Sequence, residues 1–571
     1  NQPELGSSEG FAEAILSNTD HGGFGYNARA MINVPLVADH AAIRAVAYYG
    51  DSGGWIDNTL LGRKDINSNE VKGFRLAGLW SNQDRWTVKA SIVHHERSSD
   101  GTGIDEDNPP WTQQRRVNEK NGDEWSLYSL DFGYDFDWGQ LVSTTSITRR
   151  NLDNLVDVTD FYQAVLAWKY PPELLTTVVA VEHREQESFA QEIRLSSSDS
   201  GRLDWLVGLF YQDQDNFAEQ QVQVPGFDDK TGGVAAKYVA ADTLLIGRAK
   251  QPLEELAVFA DMIWSFDDHW EGSIGGRWFR FEHGYQSSAF SLLFDHPTFD
   301  KTAADETGFT PKISLSWNPT SDVMLYGTIA GGYRPGGANE TAVENFPGCA
   351  EELASYGLSG IPPSYESDSL WSYELGFKSS WSDHQVYLNA AAYYIDWTDI
   401  QTAAALICGA SWRENLGAAT SRGIEFELAA YPGRNLEITL NGAWTDAHLS
   451  KDVPALGGLD GDRVPGVPKY AWGGSATWFF NVFDGITGSM RADYQYVGGS
   501  WNAFRFGRHE IPSYALANLR FSFHKNHWEA SLFLNNLLNK RAIITVNNNP
   551  AGQYVTTAPP FTVGVSVRFT Y

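Results

Sequence analysis

Cys349 and Cys408 are the only cysteines in 571 residues, and two thiols can pair to close one loop or stay free or buried. His94 and His95 are adjacent, so on a strand they point to opposite faces and make a poor metal pair. Acid gathers at Asp105-Glu106-Asp107 and at Asp460 and Asp462. Such carboxylates could take Ca²⁺, but no full calcium-loop spacing follows, and solvated loops without metal are the expectation. Tyr333-Arg-Pro-Gly-Gly337 sets a guanidinium beside a breaker. Arg334 could reach an anionic ligand, or the run could simply end a strand, because proline cannot donate to a ladder and glycine permits unusual backbone angles. Asn339-Glu-Thr341 has the acceptor pattern for glycosylation. No phosphate loop, dinucleotide turn or Ser-His-Asp order stands in a strand–helix setting. Neither catalysis nor a cofactor is expected.

The elements that must carry these residues are strands. Phe561, Val563, Val565, Val567, Phe569 and Tyr571 alternate with Thr562, Gly564, Ser566, Arg568 and Thr570, a period of two that puts the apolar set on one face. Similar segments recur from Phe11-Ala-Glu-Ala-Ile-Leu16 onward, roughly 22 in all, an even number in the range of transmembrane barrels. Their connections sort by length. Short turns (Ala38 to His40, Ser81 to Asp84, Asp137 to Gly139, Ser382-Asp383, Pro432 to Arg434) alternate with long polar ones. The long ones include Ser98 to Gly122, Leu155 to Val181, Gln221 to Gln251, Gly336 to Tyr365 and Lys451 to Val467. A barrel with short turns at one membrane face and long loops at the other explains that sorting; a sandwich or propeller does not.

Composition agrees. There are 42 basic and 71 acidic residues, a net charge of −29, which argues against nucleic acid as a partner because phosphates need basic surface. With 21 Trp and 25 Tyr there is ample material for interfacial girdles. A mean hydropathy of −0.34 does not exclude a barrel, since only alternate residues meet lipid. The expected architecture is a single all-β antiparallel transmembrane barrel of about 22 strands over residues 1–571. In lipid the sheet must close on itself, so the last strand should pair with the first, near Glu9 to Ser17. Phe561 and Phe569 should then face lipid, Arg568 the lumen, and Tyr571 should anchor the short-turn side. Both cysteines fall in long loops two strands apart. In an oxidising envelope a Cys349–Cys408 disulfide is expected, and closing about 60 residues constrains the open chain by roughly 4 kcal/mol; the alternative is two free or buried thiols.

Several segments resemble the barrel of TonB-dependent outer-membrane receptors. These are Tyr326 to Asn339, Trp371 to Lys378, Ala391 to Gln401, Asn415 to Leu428, Asn535 to Arg541 and the terminal strand; Thr19 to Gly23 and Met31 to Leu36 are similar to the first barrel strands. The flavour is that of receptors abundant in sphingomonad-type bacteria. The resemblance implies a Gram-negative outer-membrane receptor that binds a scarce, large nutrient, such as a ferric siderophore, and admits it with TonB energy. Tyr333, Arg334, Asn339 and Trp412 are the side chains it puts nearest a small-molecule or metal-chelate ligand. Implied partners are the TonB–ExbB–ExbD complex, lipopolysaccharide and outer-membrane lipid, and the barrel-assembly machinery, which would read the terminal aromatic. The family also has an N-terminal plug, expected upstream of residue 1; a cleaved or missing plug is preferred to a separate chain or a plugless channel. A porin-like diffusion channel and a structural surface barrel are the rival functions.

Overall fold

Twenty-two strands form one antiparallel sheet in the computed structural model, which describes residues 2–571 except 102–103, 106–108, 168, 199–200, 293–296, 342–348, 356–357, 382–384, 406–410, 484, 506 and 550–551. Each strand pairs with its chain neighbours, and Thr562–Thr570 returns to Glu9–Thr19. The seam runs in register from Phe11 opposite Thr570 to Thr19 opposite Thr562. Closure leaves no free edge, which a sheet in lipid cannot carry.

The alternation reads out as expected. Val565 and Val567 are 46% and 45% exposed on the outer face. Arg568 lies on the opposite face, with its guanidinium 4.1 Å from the centre of the Phe11 ring. Phe561 precedes the last strand and holds the first hairpin, its carbonyl accepting from Asp20 N at 2.7 Å. Tyr571 and Gly10 exchange two backbone hydrogen bonds at the short-turn end. Exposed Trp80, Trp138, Trp381 and Trp528 ring that end, and Phe24, Tyr26, Tyr49 and Phe74 lie toward the other, two girdles flanking an apolar band. His94 and His95 take opposite faces: His94 packs on Phe74, while His95 meets the Tyr48 hydroxyl at 2.6 Å.

One sector stands taller than the alternation suggested. The strands Gly139–Asp157, Val179–Ser197, Leu203–Gln223, Thr243–Ser265, Trp270–Ser291 and Thr298–Thr320 run well past the apolar band. The connection expected over Gln221 to Gln251 therefore shrinks to residues 224–242. The reason is physical: above the lipid both faces are wet, so hydrophobic alternation fades while the ladder continues. Outward ion pairs hold it there, Arg149–Glu187 at 3.2 Å and Lys250–Asp215 at 3.0 Å.

Candidate functional site

The long connections gather at one mouth, and three packed blocks build it. In the first, Leu166, Leu175, Val178, Val224 and Phe227 bury together over the tall strands. Asp242 fastens this block, its carboxylate accepting Gly226 N at 3.0 Å and Asp228 N at 2.8 Å. Those amide donors hold it below the usual carboxylate range. Burial pushes the Tyr162 hydroxyl, on the short helix Thr159–Leu166, up to about 12. In the second block Cys349, Leu353, Ile361, Ala404 and Trp412 share a core. In the third, Phe504 joins Leu449, Val453, Val464 and Leu416, tying three loops together. An ion pair at 2.9 Å between Arg505 and Asp462 clamps this third block, and the guanidinium, with Leu459 N, keeps the Asp462 carboxyl low.

The described parts of the connection after Arg334, residues 335–341 and 361–367, fold inward. The strand Val323–Arg334 pairs with Thr298–Thr320 only as far as Ala330 opposite Lys312. Pro311 comes next and has no N–H to donate. Above that point the strand crosses the inner wall. Tyr333 stacks on Phe279, ring centres 3.6 Å apart and planes 4° from parallel, beside Ala257 and Phe281. The loop then lines the tall sector: Glu340 accepts Tyr285 Oη at 3.0 Å and Ser287 Oγ at 2.9 Å, and the Asn339 carbonyl accepts Thr302 Oγ1 at 2.7 Å.

A hub fixes that crossing. Asp368, 2% exposed, accepts the Arg334 backbone N at 3.2 Å and Arg334 Nε at 3.0 Å, and Arg334 Nη2 also bonds it. Trp397 lies 5.6 Å from the guanidinium. Gln401 Nε2 donates to the carbonyls of Arg334, Pro335 and Glu366 at 3.1, 2.7 and 3.2 Å. Asn339 works the same way: Nδ2 reaches Pro362 O at 2.9 Å and Arg413 O at 2.8 Å, and Oδ1 accepts Arg413 N at 2.8 Å.

The four ligand candidates thus come to one quarter of the mouth, but in holding roles. Asn339 and Trp412 are 5% and 6% exposed, and Trp412 Nε1 donates to Glu414 at 3.2 Å. Tyr333 is committed to its stack. Only Arg334 keeps much of its side chain open, at 45%. Cys349 is fully buried and is not a free thiol; Cys408, Glu106 and Asp107 lie outside the described residues. Asp368 and Gln401, which organise the hub, went unnoticed in the sequence, where nothing marks an isolated Asp or Gln. On the lumen wall beneath, Lys378, Glu425, Glu427, Arg491 and Asp493 border a recess of about 800 Å³.

A closed barrel with an apolar belt, two aromatic girdles, short turns at one end and packed loops at the other is an outer-membrane barrel of a Gram-negative bacterium. The family profile described as "TonB dependent receptor-like, beta-barrel" matches residues 7–537, and the chain belongs to that family. It is similar to the pesticin receptor of Yersinia enterocolitica, 26% identical over 291 residues, half of this chain and 37% of that receptor. The metal-pseudopaline receptor CntO of Pseudomonas aeruginosa is 22% identical over 290 residues, again half of this chain and 37% of the relative. The chain therefore aligns with little more than a third of these curated relatives. Among solved structures, the ferric yersiniabactin uptake receptor FyuA from Yersinia pestis superposes with a TM-score of 0.83 at 17% identity, covering 100% of this chain and 81% of that one. The siderophore receptor PiuA from Acinetobacter baumannii gives 0.73 at 15%, covering 100% and 82%. At such identities the agreement is one of fold.

Proposed function

We propose that the chain is the barrel of an active-transport receptor. It takes a scarce, large nutrient, a ferric siderophore or comparable metal chelate, from the cell surface and admits it to the periplasm with TonB energy. The observation that carries this reading is the pair of inward-folded loop segments, 335–341 and 361–367, with their Asp368 hub, inside a barrel of the TonB-dependent receptor family. The relatives named for yersiniabactin and pseudopaline make metal chelates the first class to test. Binding, not catalysis, is the work of this mouth, with Arg334, paired to Asp368 yet 45% exposed, the cation nearest the ligand and Tyr333, Asn339 and Trp412 holding the loops around it. A plug domain fills the lumen and passes the pull of TonB, driven by ExbB and ExbD, to the gate. A Cys349–Cys408 disulfide pins the second loop block. Lipopolysaccharide and lipid surround the belt, and Phe569 and Tyr571 are read by the barrel-assembly machinery.

The test is growth of a deletion strain under iron limitation with single ferric chelates, with and without the receptor gene and in strains with and without TonB. TonB-dependent rescue by at least one chelate is the expected result. Uptake that persists without TonB, together with a large steady conductance of the purified protein in planar bilayers, overturns the reading in favour of a diffusion channel.

A further inference from the structure

The inner face of the tall sector carries a patch to which no mouth-loop side chain bonds among the described residues. Along Leu203–Gln223, Val207 and Leu209 are exposed outward, so Gln212, Gln214 and Asn216 face inward. They form a chain. Gln212 Nε2 donates to Gln214 Oε1 at 3.1 Å and to Ser188 Oγ at 3.2 Å; Gln214 Nε2 donates to Asn216 Oδ1 at 3.2 Å; and Asn216 Nδ2 donates to Gln251 O at 3.3 Å. The strand register sets Gln186, Asn216 and Gln251 side by side across three strands. Among the described residues, the amide groups of Gln186 and Gln251 have no hydrogen-bond partner, and Arg184 has only a 3.4 Å contact to Glu182. These groups border a cavity of about 380 Å³, within the usual range for ligand pockets of roughly 300–1,000 Å³.

Height places this cavity outside the membrane. On the outer face at the same level, Lys250–Asp215 and Arg149–Glu187 stand where lower rows carry apolar side chains. The patch is thus a wall of the external vestibule, reachable from the cell surface. Its chemistry is also selective. In a chain of net charge −29, the nearby Asp123 is occupied twice by Arg150 at 2.8 Å, which leaves the amides and the Arg184 guanidinium as the open groups. An amide presents a donor and an acceptor side by side. An anion would use the donors alone and leave the amide oxygens unmatched, whereas a hydroxyl both gives and accepts. We infer that Gln186, Asn216, Gln251 and Arg184 form a subsite for vicinal hydroxyls, and that the transported ligand carries a neutral sugar or a comparable polyhydroxylated portion. This rests on the transport reading and adds a substrate class to it.

The purified full-length receptor, applied to a microarray of neutral oligosaccharides, should bind a subset, with titration calorimetry giving the affinity of a hit. Gln186→Leu with Gln251→Leu should weaken that hit by at least tenfold. Gln221→Leu, on the outward face of the strand that carries Asn216, should not change it, and all variants should keep heat-modifiable mobility on gels. A blank array overturns the inference, as does a hit whose affinity is unchanged in the double variant. If the array is blank while TonB-dependent uptake of a ferric chelate survives, the substrate class falls and the transport reading stands. If neutral glycans bind through these residues but deletion alters no TonB-dependent uptake, the subsite stands and the transport reading falls.

Discussion

Asp368 is a carboxylate with almost no exposed surface, and its cationic partner, Arg334, keeps nearly half of its own side chain in water. That asymmetry decides what breaks. Asp368→Ala leaves the backbone N–H of Arg334 without its acceptor and frees the crossing strand, at a cost on the order of 2–3 kcal/mol in local opening. Amide exchange in residues 335–341 and 364–367 should speed up at least tenfold, while the rest of the barrel is unchanged. Unaltered exchange there would rule out the hub as the fastener. Two other carboxylates act through pH. Asp242 and Asp462 both lie below the ordinary carboxylate value of 3.8 in the folded loops. Their contribution is therefore complete above that value and is lost as pH falls through the lowered one. The 224–242 and 450–469 loops should keep their exchange protection from pH 7 to pH 5 and lose it only below pH 3.8, as pH falls through the lowered values. Asp242→Ala should open the first loop already at pH 7.

Strands meet here through glycines opposite rings. A Cβ on Gly308 would stand 2.3 Å from the Phe279 ring, the same ring that stacks on Tyr333. Gly308→Val should push Phe279 out of that stack and release the crossing of Val323–Arg334 without opening the barrel. Intact heat-modifiable mobility combined with faster proteolysis of the 335–367 loop is the expected outcome; unchanged proteolysis would mean the stack does not hold the loop. This element also shows where pattern reading stops. Phe561 to Tyr571 could be read because lipid on one side and water on the other write a strict alternation. Gln212 to Gln223 could not, because above the lipid both faces are wet, and a strand of amides and acids looks like a loop. The breaker after Arg334 was legible as a strand end. The inward turn of the strand needs Pro311, two dozen residues earlier on the neighbouring strand, and no local period carries that. Asn339 and Trp412 suffered the same way: past Gly336-Gly337 the periodicity that assigns faces is gone, so their burial could not be foreseen.

At the scale of the molecule, stability comes down to whether the cylinder stays shut, and the seam is its youngest joint in the order of synthesis. The first and last strands meet across 543 residues, where Thr19 and Thr562 hydroxyls lie 3.0 Å apart. No local contact can form this joint ahead of the rest. At its lower end, Gly10 N meets Tyr571 O at 3.2 Å and Tyr571 N meets Gly10 O at 3.0 Å. The Tyr571 ring covers Gly10 so closely that a Cβ there would sit 2.3 Å from the ring and 2.9 Å from the Met31 carbonyl. Gly10→Val must therefore displace the ring or the backbone, and the folded barrel should convert to the slow-migrating unfolded form at a lower temperature than the parent. Tyr571→Ala removes the ring and should cost less. The decisive case is the double variant: with the ring gone, valine at position 10 loses most of its clash, so the two losses should be less than additive, leaving a coupling of about 1 kcal/mol or more. Full additivity would mean that the ring and the glycine act independently and that the seam is held by its backbone ladder alone.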